Sequence, residues 1–170
     1  ASRKKTRESS GHDWEDIFEC LNTIKSEIKD NFPYKVLEVY GAEADDIIAT
    51  LCGELEYDNG KTLILSGDKD FIQLHKFKNV KQYSPITKKF INGEDPKEYL
   101  YQHILKGDSS DGVPNVLSPD NTFVDGLRQR PLSKKKISEW AGPLCEQVLP
   151  NDELKRNYQR NKKLIDLQET

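Results

Sequence analysis

The chain has 170 residues, with 26 basic and 29 acidic side chains, a net charge of -3 and 35% hydrophobic residues. This length fits one domain of roughly 100–200 residues or a piece of a larger one, and no run approaches the roughly 18 apolar residues of a membrane helix. The N-terminal residues are basic and polar, which argues against a secretory signal. Three widely spaced cysteines without CxxC spacing fit a reducing, cytoplasmic compartment.

The first half of the chain alternates between helical and strand patterns. Apolar steps of three and four residues predict an amphipathic helix over Trp14–Phe32, ended by Pro33, and a second helix over Ala44–Leu55. Between them, Tyr34–Val39 predicts a strand. The continuous run Lys61–Ser66 predicts a parallel strand buried on both faces, so the order strand, helix, strand indicates a βαβ unit.

The second half of the chain turns from strands to helices. A short helical piece, a strand and a turn into a further strand come first, and helical patterns separated by loops follow. These segments are Phe71–His75, Val80–Ser84, Lys88–Ile91, Pro96–Leu105, Pro131–Trp140 and Asp152–Leu167. The predicted fold class is therefore α/β, a partial parallel sheet with flanking helices followed by a helical region.

Positive charge is concentrated in four runs although the net charge is close to zero. The runs are Arg3–Arg7, Lys76–Lys89, Arg128–Lys136 and Lys155–Lys163. Local positive stripes are typical of a protein that binds a polyanion. Solvated helix faces and tails are the alternative interpretation, and the sequence leaves both open.

The first of three acidic motifs lies where the predicted strand Tyr34–Val39 gives way to a helix. Its carboxylates, Glu43, Asp45 and Asp46, fall in the first helical turn. The helix dipole favours negative charge there, so capping alone explains one or two of them. Three carboxylates in four residues also repel one another, and a bound divalent cation would relieve that repulsion. Capping and metal binding both remain open.

The second acidic motif directly follows the predicted strand Lys61–Ser66. Asp68 and Asp70 are spaced i, i+2, so both side chains point to the same side of an extended turn. Ligands of parallel sheets bind at the carboxyl ends of the strands, where cation ligands are expected. Asp70 as a helix cap and a covalent aspartyl nucleophile are two alternatives, and the second leaves the other motifs unexplained.

The third acidic motif follows the helical stretch that ends at Leu105. Its spacing of i, i+3 on a turn brings Asp108 and Asp111 together. Gly107 and Gly112 flank them and let backbone amides approach a phosphate closely. A plain turn-forming loop is the alternative.

Taken together, the three motifs favour a metal-dependent nuclease. Seven carboxylates with no cysteine or well-placed histidine indicate oxygen-only ligation, which suits Mg²⁺ or Mn²⁺. Two such ions about 3.5–4 Å apart promote phosphodiester hydrolysis. We expect His12, His75 and His103 to be surface or packing residues.

The stretches GAEADD, SGDKDFIQL and LKGDSSDGVP closely resemble the acidic motifs of the 5' nuclease family of flap endonucleases and bacterial 5'-3' exonuclease domains. Within this family, the chain most resembles the ribonuclease H branch from T-even bacteriophages, at Asp13-Trp14, Asp70–Lys76 and Asn79–Gln82. The resemblance implies a PIN-like core and a metal-dependent 5'-3' exonuclease or flap endonuclease with RNase H activity. Such an enzyme removes RNA primers or 5' flaps during DNA replication, in the host cytoplasm if phage-encoded.

The resemblance also implies a metal-ligand set, which we carry over residue by residue. Two Mg²⁺ ions are implied, for which Mn²⁺ would substitute, and Asp68 and Asp70 are the implied catalytic residues. The residues implied for the first ion are Glu43, Asp45, Asp46 and Asp68, and those for the second are Asp70, Asp108 and Asp111.

The resemblance further implies how nucleic acid is held. Residues 96–170 would form a helix-three-turn-helix region that grips duplex DNA, residues 14–95 a partial nuclease core, and residues 1–13 a remnant of a basic arch. The implied nucleic-acid-binding residues are Arg3, Lys4, Lys5, Arg7, Gly107, Ser109, Ser110, Gly112, Lys134, Lys135 and Lys136. The implied partners are duplex DNA with a 5' flap or nick, RNA–DNA hybrids and replication proteins.

The chain departs from the family pattern in two places. Asn115–Asp120 stands where the family has a glycine-rich turn. The family's two Asp-bearing first strands do not appear, and neither does the base of its arch, which carries catalytic Lys and Arg residues. We therefore expect an internal portion of such a nuclease, with an apolar sheet edge that associates with a complementary N-terminal piece. The alternative function is a non-catalytic DNA-binding or split-subunit fragment.

Overall fold

The computed structural model describes residues 11–168 and divides into two compact units, with the boundary after Ala42. The first unit contains helix α1 (Trp14–Asn31), as the apolar periodicity predicts. Asp13 caps α1, because its Oδ1 accepts the N–H groups of Glu15 and Asp16 at 3.0 and 3.2 Å. No residue of α1 is buried. Within residues 11–168, no helix is both long and apolar enough to cross a membrane.

The segment after α1 does not form the predicted strand. Tyr34–Val39 has no regular structure, and no strand of residues 11–168 pairs with it. A β-strand is held by hydrogen bonds to a neighbouring strand, so β-branched composition alone does not produce one. Leu37 and Val39 are each 55% exposed. The prediction of a strand here was wrong, and the βαβ unit that depended on it does not form.

The second unit contains a small mixed sheet. Helix α2 (Ala44–Tyr57) precedes it, and the sheet order is β1 (Thr62–Leu65), β2 (Val80–Ser84), β3 (Lys89–Ile91). The first two strands run parallel and are joined through a 3₁₀ helix, Lys69–Lys76, whereas β3 pairs antiparallel with β2. The α/β fold class is confirmed, with a mixed sheet in place of a purely parallel one.

Strand β1 is less buried than its apolar sequence predicts. Ile64 is 5% exposed and packs with Cys52, Leu74 and other residues of α2, the 3₁₀ helix and β2, whereas Leu63 and Leu65 are 54% and 65% exposed. The prediction of burial on both faces was therefore wrong. Among the described residues, β1 has a hydrogen-bonded neighbour on one side only. Its opposite edge is therefore unpaired, and the face that carries Leu63 and Leu65 is exposed.

A second core joins the helices that follow the sheet. Asp95, Ser133 and Asn151 cap three of them with side-chain oxygens, as expected for these residue types. Ile104, Leu105, Val116 and Tyr158 are among the buried residues of this core. The helices are α3 (Pro96–Lys106), α4 (Lys134–Trp140), α5 (Cys145–Val148) and α6 (Asp152–Ile165).

Buried asparagines attach α6 to the rest of this core. Asn161 is fully buried, and its Nδ2 donates to the carbonyls of Ile104 and Pro114 at 2.8 and 2.9 Å. One turn earlier, the Nδ2 of the equally buried Asn157 donates to the Val116 carbonyl at 2.9 Å. These side chains satisfy carbonyls that no water reaches, so they fix the position of α6 against the end of α3 and the following loop.

We expect Asn161→Ala to lower the free energy of unfolding by about 2–3 kcal/mol, because it leaves the buried Ile104 carbonyl without this donor and opens a small cavity. Urea denaturation followed by circular dichroism measures the loss. Lys163→Ala is the matched control on the exposed face of the same helix and should change stability by less than about 0.5 kcal/mol. Equal losses for the two variants would contradict this account of the α6 attachment.

Candidate functional site

The loop after β1 is held in place by a buried glutamine of the neighbouring strand. Gln82 is fully buried, and its Nε2 donates to the carbonyls of Ser66 and Asp68 at 2.9 and 2.6 Å. The Asp68 side chain in turn accepts the Asp70 N–H at 3.0 Å and caps the 3₁₀ helix. Asp68 is exposed, whereas Asp70 lies half-buried in the first turn of that helix.

The first acidic motif occupies the N-terminus of α2, as predicted. Glu43 is the N-cap residue, and its N–H donates to Asp46 Oδ2 at 2.9 Å. Asp45 and Asp46 lie in the first turn, where the helix dipole stabilises negative charge. The capping interpretation therefore accounts for Asp46. Its other carboxylate oxygen takes no part in this hydrogen bond.

The third acidic motif begins where α3 ends at Gly107. Asp108 Oδ1 accepts the N–H groups of Ser110 and Asp111 at 2.7 and 3.3 Å and the Ser110 hydroxyl at 2.5 Å. The Val113 N–H donates to the Asp108 carbonyl at 2.7 Å, which closes the loop on itself. The side-chain bonds all use Oδ1 of Asp108, and its Oδ2 takes part in none of them.

Carboxylates of all three motifs line one cavity of about 190 Å³. Six of the seven predicted acidic residues are in its wall, and Asp68 is the one that is not. The acidic lining residues are Glu43, Asp45, Asp46, Asp70, Asp108 and Asp111, and His103 and Val113 lie beside them. Segments far apart in the sequence thus meet at one point, although only the second motif follows a strand of the sheet.

The remaining wall of this acidic cavity comes from the end of α6 and the residues after it. Leu164, Ile165 and Leu167 line it. The buried Gln73 fastens this segment to the 3₁₀ helix, because its Nε2 donates to the Ile165 carbonyl at 3.1 Å and its Oε1 accepts the Leu167 N–H at 3.0 Å. Sequence patterns gave no sign of this contact.

Asp70 is half-buried in the wall of the cavity, close to other acids. Burial raises the pKa of its carboxyl, the charges of Asp68, Asp108 and Asp45 raise it further, and His103 opposes them. Burial disfavours the ionised form, and like charges add to that cost. A cation placed among these groups would stabilise the carboxylates, so the electrostatics of the cavity favour binding of a positive ion.

His103 lies between two of these acids, which the sequence analysis missed. Its Nδ1 is 3.3 Å from Asp70 Oδ1, its Nε2 is 3.6 Å from Asp108 Oδ2, and its side chain is 15% exposed. Ligand atoms of these three residues all lie within 4.8 Å of one another. The expectation that His103 is a plain surface or packing residue was therefore wrong. No spacing rule points to this contact, and the one hint in the sequence is that His103 closely precedes the third acidic motif.

The residues predicted to hold nucleic acid are placed only in part. Arg3, Lys4, Lys5 and Arg7 lie outside the described residues. Those of the third motif, Gly107, Ser109, Ser110 and Gly112, lie in the loop beside the acidic cavity, with both serines exposed. The three lysines Lys134, Lys135 and Lys136 form the first turn of α4, and the Lys135 side chain is 85% exposed.

Comparison with known proteins identifies relatives over the whole chain. The family model described as "5'-3' exonuclease, N-terminal resolvase-like domain" matches residues 2–102. Ribonuclease H of Enterobacteria phage T4 is 38% identical over 172 residues, covering 97% of this chain and 56% of that protein. A 5'-3' exonuclease of Buchnera aphidicola is 42% identical over 89 residues, covering 48% of this chain and 31% of that protein. The chain thus spans about half or less of these relatives.

A solved structure supports the same relationship at the level of the fold. It is the flap endonuclease of bacteriophage T5 in a complex with DNA and metal ions. The two structures superpose with a TM-score of 0.70 at 18% identity, covering 96% of this chain and 65% of the other. The acidic motifs, the small mixed sheet with flanking helices and the matching family model lead to one conclusion. The chain belongs to the 5'-3' exonuclease family of 5' nucleases.

Proposed function

We propose that the chain belongs to a metal-dependent 5'-3' exonuclease or flap endonuclease with RNase H activity, which hydrolyses phosphodiesters to remove RNA primers or 5' flaps. One observation carries the proposal: six carboxylates from three separate segments line a single cavity of about 190 Å³. Capping accounts for Asp46 and Asp68, but it does not explain why half-buried Asp70 faces further acids.

The donor set fits divalent cations that prefer oxygen ligands. Glu43, Asp45, Asp46 and Asp68 would hold one ion, and Asp70, Asp108 and Asp111 a second. Mg²⁺ is the proposed ion and Mn²⁺ its substitute. When bound, such ions polarise a phosphoryl oxygen and lower the pKa of water, which promotes hydrolysis. The buried Nδ1 of His103, which has no hydrogen-bond partner, adds to the case that this cavity accommodates a ligand.

The chain's own residues would position the scissile phosphate. The loop over residues 107–112 presents the N–H group and hydroxyl of Ser109 next to the acidic cavity, where they can donate to phosphate oxygens. The N–H group and hydroxyl of Ser110 donate to Asp108 Oδ1, so Ser110 would contribute by fixing the shape of this loop. Lys134, Lys135 and Lys136 at the start of α4 would neutralise the duplex backbone. Residues 96–170 would thereby act as the helix-three-turn-helix grip, residues 14–95 as the nuclease core and residues 1–13 as part of the arch.

The proposed substrates are duplex DNA with a 5' flap or nick and RNA–DNA hybrids. The relatives support this choice: the phage T4 protein is a ribonuclease H, and the phage T5 structure is a flap endonuclease in a complex with DNA and metal ions. A complementary N-terminal nuclease piece and replication proteins are further proposed partners.

Cleavage of a 5'-labelled flap duplex by the full chain in Mg²⁺ or Mn²⁺ tests the proposal. We expect cleavage that is lost with a chelator and lost in the double variant Asp68→Asn, Asp70→Asn. Asparagine retains an oxygen that can cap the 3₁₀ helix, so the double variant removes charge with little change to the fold. Asp152→Asn is the control, because the Asp152 side chain is fully exposed at the start of α6.

The same assay separates the proposed enzyme from the alternative function. A chain that binds the flap with strong salt dependence but never cuts it would be a DNA-binding or split-subunit fragment, and the enzymatic proposal for this chain would fail. Cleavage that persists in the chelator or in the double variant would refute the metal site itself.

A further inference from the structure

His103 differs from every other polar residue of the acidic cavity in its donor chemistry. It presents Nδ1 to Asp70 Oδ1 at 3.3 Å and Nε2 to Asp108 Oδ2 at 3.6 Å. One ion can bind only one of these two ring nitrogens, and ligand atoms taken one each from His103, Asp70 and Asp108 all lie within 4.8 Å of one another, close to the roughly 4.4 Å that bonds of about 2.0–2.2 Å to one divalent ion allow. The ring therefore stands where a shared ion would meet it and the two carboxylates.

The hydrogen-bond geometry of the ring leaves its buried Nδ1 available to a ligand. His103 Nδ1 is inaccessible to solvent and makes no hydrogen bond, although Asp70 Oδ1 is close. If the only role of the ring were to hydrogen-bond the two carboxylates, we would expect it to be rotated so that at least one ring N–H points at a carboxylate oxygen. The Tyr99 ring packs edge-on against His103, with centroids 5.6 Å apart, and restricts the imidazole on its other side. A buried ring nitrogen without a partner is costly, and coordination of a cation would remove that cost.

We propose that His103 supplies a nitrogen ligand to the ion held by Asp70 and Asp108 and thereby shifts the preference of this site from Mg²⁺ towards Mn²⁺ and Co²⁺. The inference rests on the proposed metal-dependent function and adds a residue that determines which metal is used. Imidazole suits transition metals, whereas Mg²⁺ binds carboxylate, carbonyl and water oxygens. Asp108 would also orient the ring, as carboxylates commonly do beside a metal-bound histidine.

The first test is spectroscopic and needs no altered chain. Mn²⁺ is added to the metal-free protein, and electron spin-echo envelope modulation is recorded. We expect modulation from a coordinated imidazole nitrogen in the unaltered chain and in His12→Gln, whose histidine is exposed and belongs to the other compact unit. Asp70→Asn should lose most of the bound Mn²⁺, which assigns the signal to the acidic cavity.

The second test is calorimetric and compares metals. For His103→Gln, which replaces the ring nitrogen by an amide, we expect the ratio of Co²⁺ to Mg²⁺ affinity to fall by about 10- to 100-fold, the cost typical of losing a residue that supports a metal site. Mn²⁺ that binds at Asp70 without a nitrogen signal would overturn the role of His103 and leave the proposed metal site standing. Failure of Mn²⁺ or Co²⁺ to bind at all would overturn the metal site and, with it, this inference.

Discussion

Asp108→Asn should reduce flap cleavage by about a hundredfold or more while the protein remains folded. Oδ1 of Asp108 holds the Ser110 and Asp111 amides, and an asparagine oxygen can accept the same bonds. The substitution removes the charge that Oδ2 directs at His103 and the proposed second ion. Loss of that ion removes several kcal/mol of charge stabilisation from the transition state, and every 1.36 kcal/mol is a factor of ten in rate.

The measurement pairs two substitutions at the same position. Single-turnover cleavage in Mg²⁺ and urea denaturation are recorded for Asp108→Asn and Asp108→Ala. Only the alanine variant should also lose stability, by about 1–2 kcal/mol, because it removes the acceptor that closes the loop. Cleavage by Asp108→Asn within about threefold of the parent rate would show that the charge of Asp108 has no part in the reaction.

Gly107→Ala should lower the free energy of unfolding by about 2–6 kcal/mol. Gly107 has φ +67° and ψ -179°, a backbone region that essentially only glycine adopts, so a side chain there costs about 1–3 kcal/mol in strain. An added Cβ would also meet the Val113 carbonyl oxygen and come within 2.6 Å of the Pro114 carbonyl carbon. Overpacking against backbone costs about 1–3 kcal/mol more, and relief by movement would displace Asp108.

Two other glycines separate strain from crowding. Gly112 has φ +80° with open space around it, so Gly112→Ala should show the strain alone. Gly142 has neither a positive φ nor a close neighbour, so Gly142→Ala should leave stability nearly unchanged. Urea denaturation of the three variants should rank the losses in the order Gly107, Gly112, Gly142. A Gly107 variant as stable as the Gly112 variant would mean that the loop moves away from the added methyl group at little cost in free energy.

Local pattern was enough to predict most elements of this fold. The helices that begin at Trp14 and Ala44 follow from apolar spacing, and the strand Val80–Ser84 has the bounds that its sequence predicts. Local pattern failed where structure depends on a neighbour. Tyr34–Val39 has the composition of a strand, but no strand among the described residues pairs with it. The leucines of β1 are exposed, although its continuous apolar sequence predicts burial on both faces.

The acidic cavity shows the same division between local and long-range information. Its carboxylates were identifiable because they cluster in three short acidic motifs, of which only the second follows a strand. His103 was not, because its position depends on how α3 packs against the 3₁₀ helix, which no spacing rule encodes. The sequence also does not reveal that Asp68 serves as a cap outside the cavity wall while Asp70 turns inward.

The double hydrogen bond of Gln73 has a consequence for cooperativity. One amide group joins the end of α6 to the 3₁₀ helix across 92 positions of sequence, and both partners are main-chain atoms. Detachment of the segment around Leu167 would leave a buried amide unpaired inside the 3₁₀ helix, so the two regions should open as one unit on the hydrogen-exchange timescale. The wall of the acidic cavity that the end of α6 provides should therefore not fray independently of the 3₁₀ helix that carries Asp70.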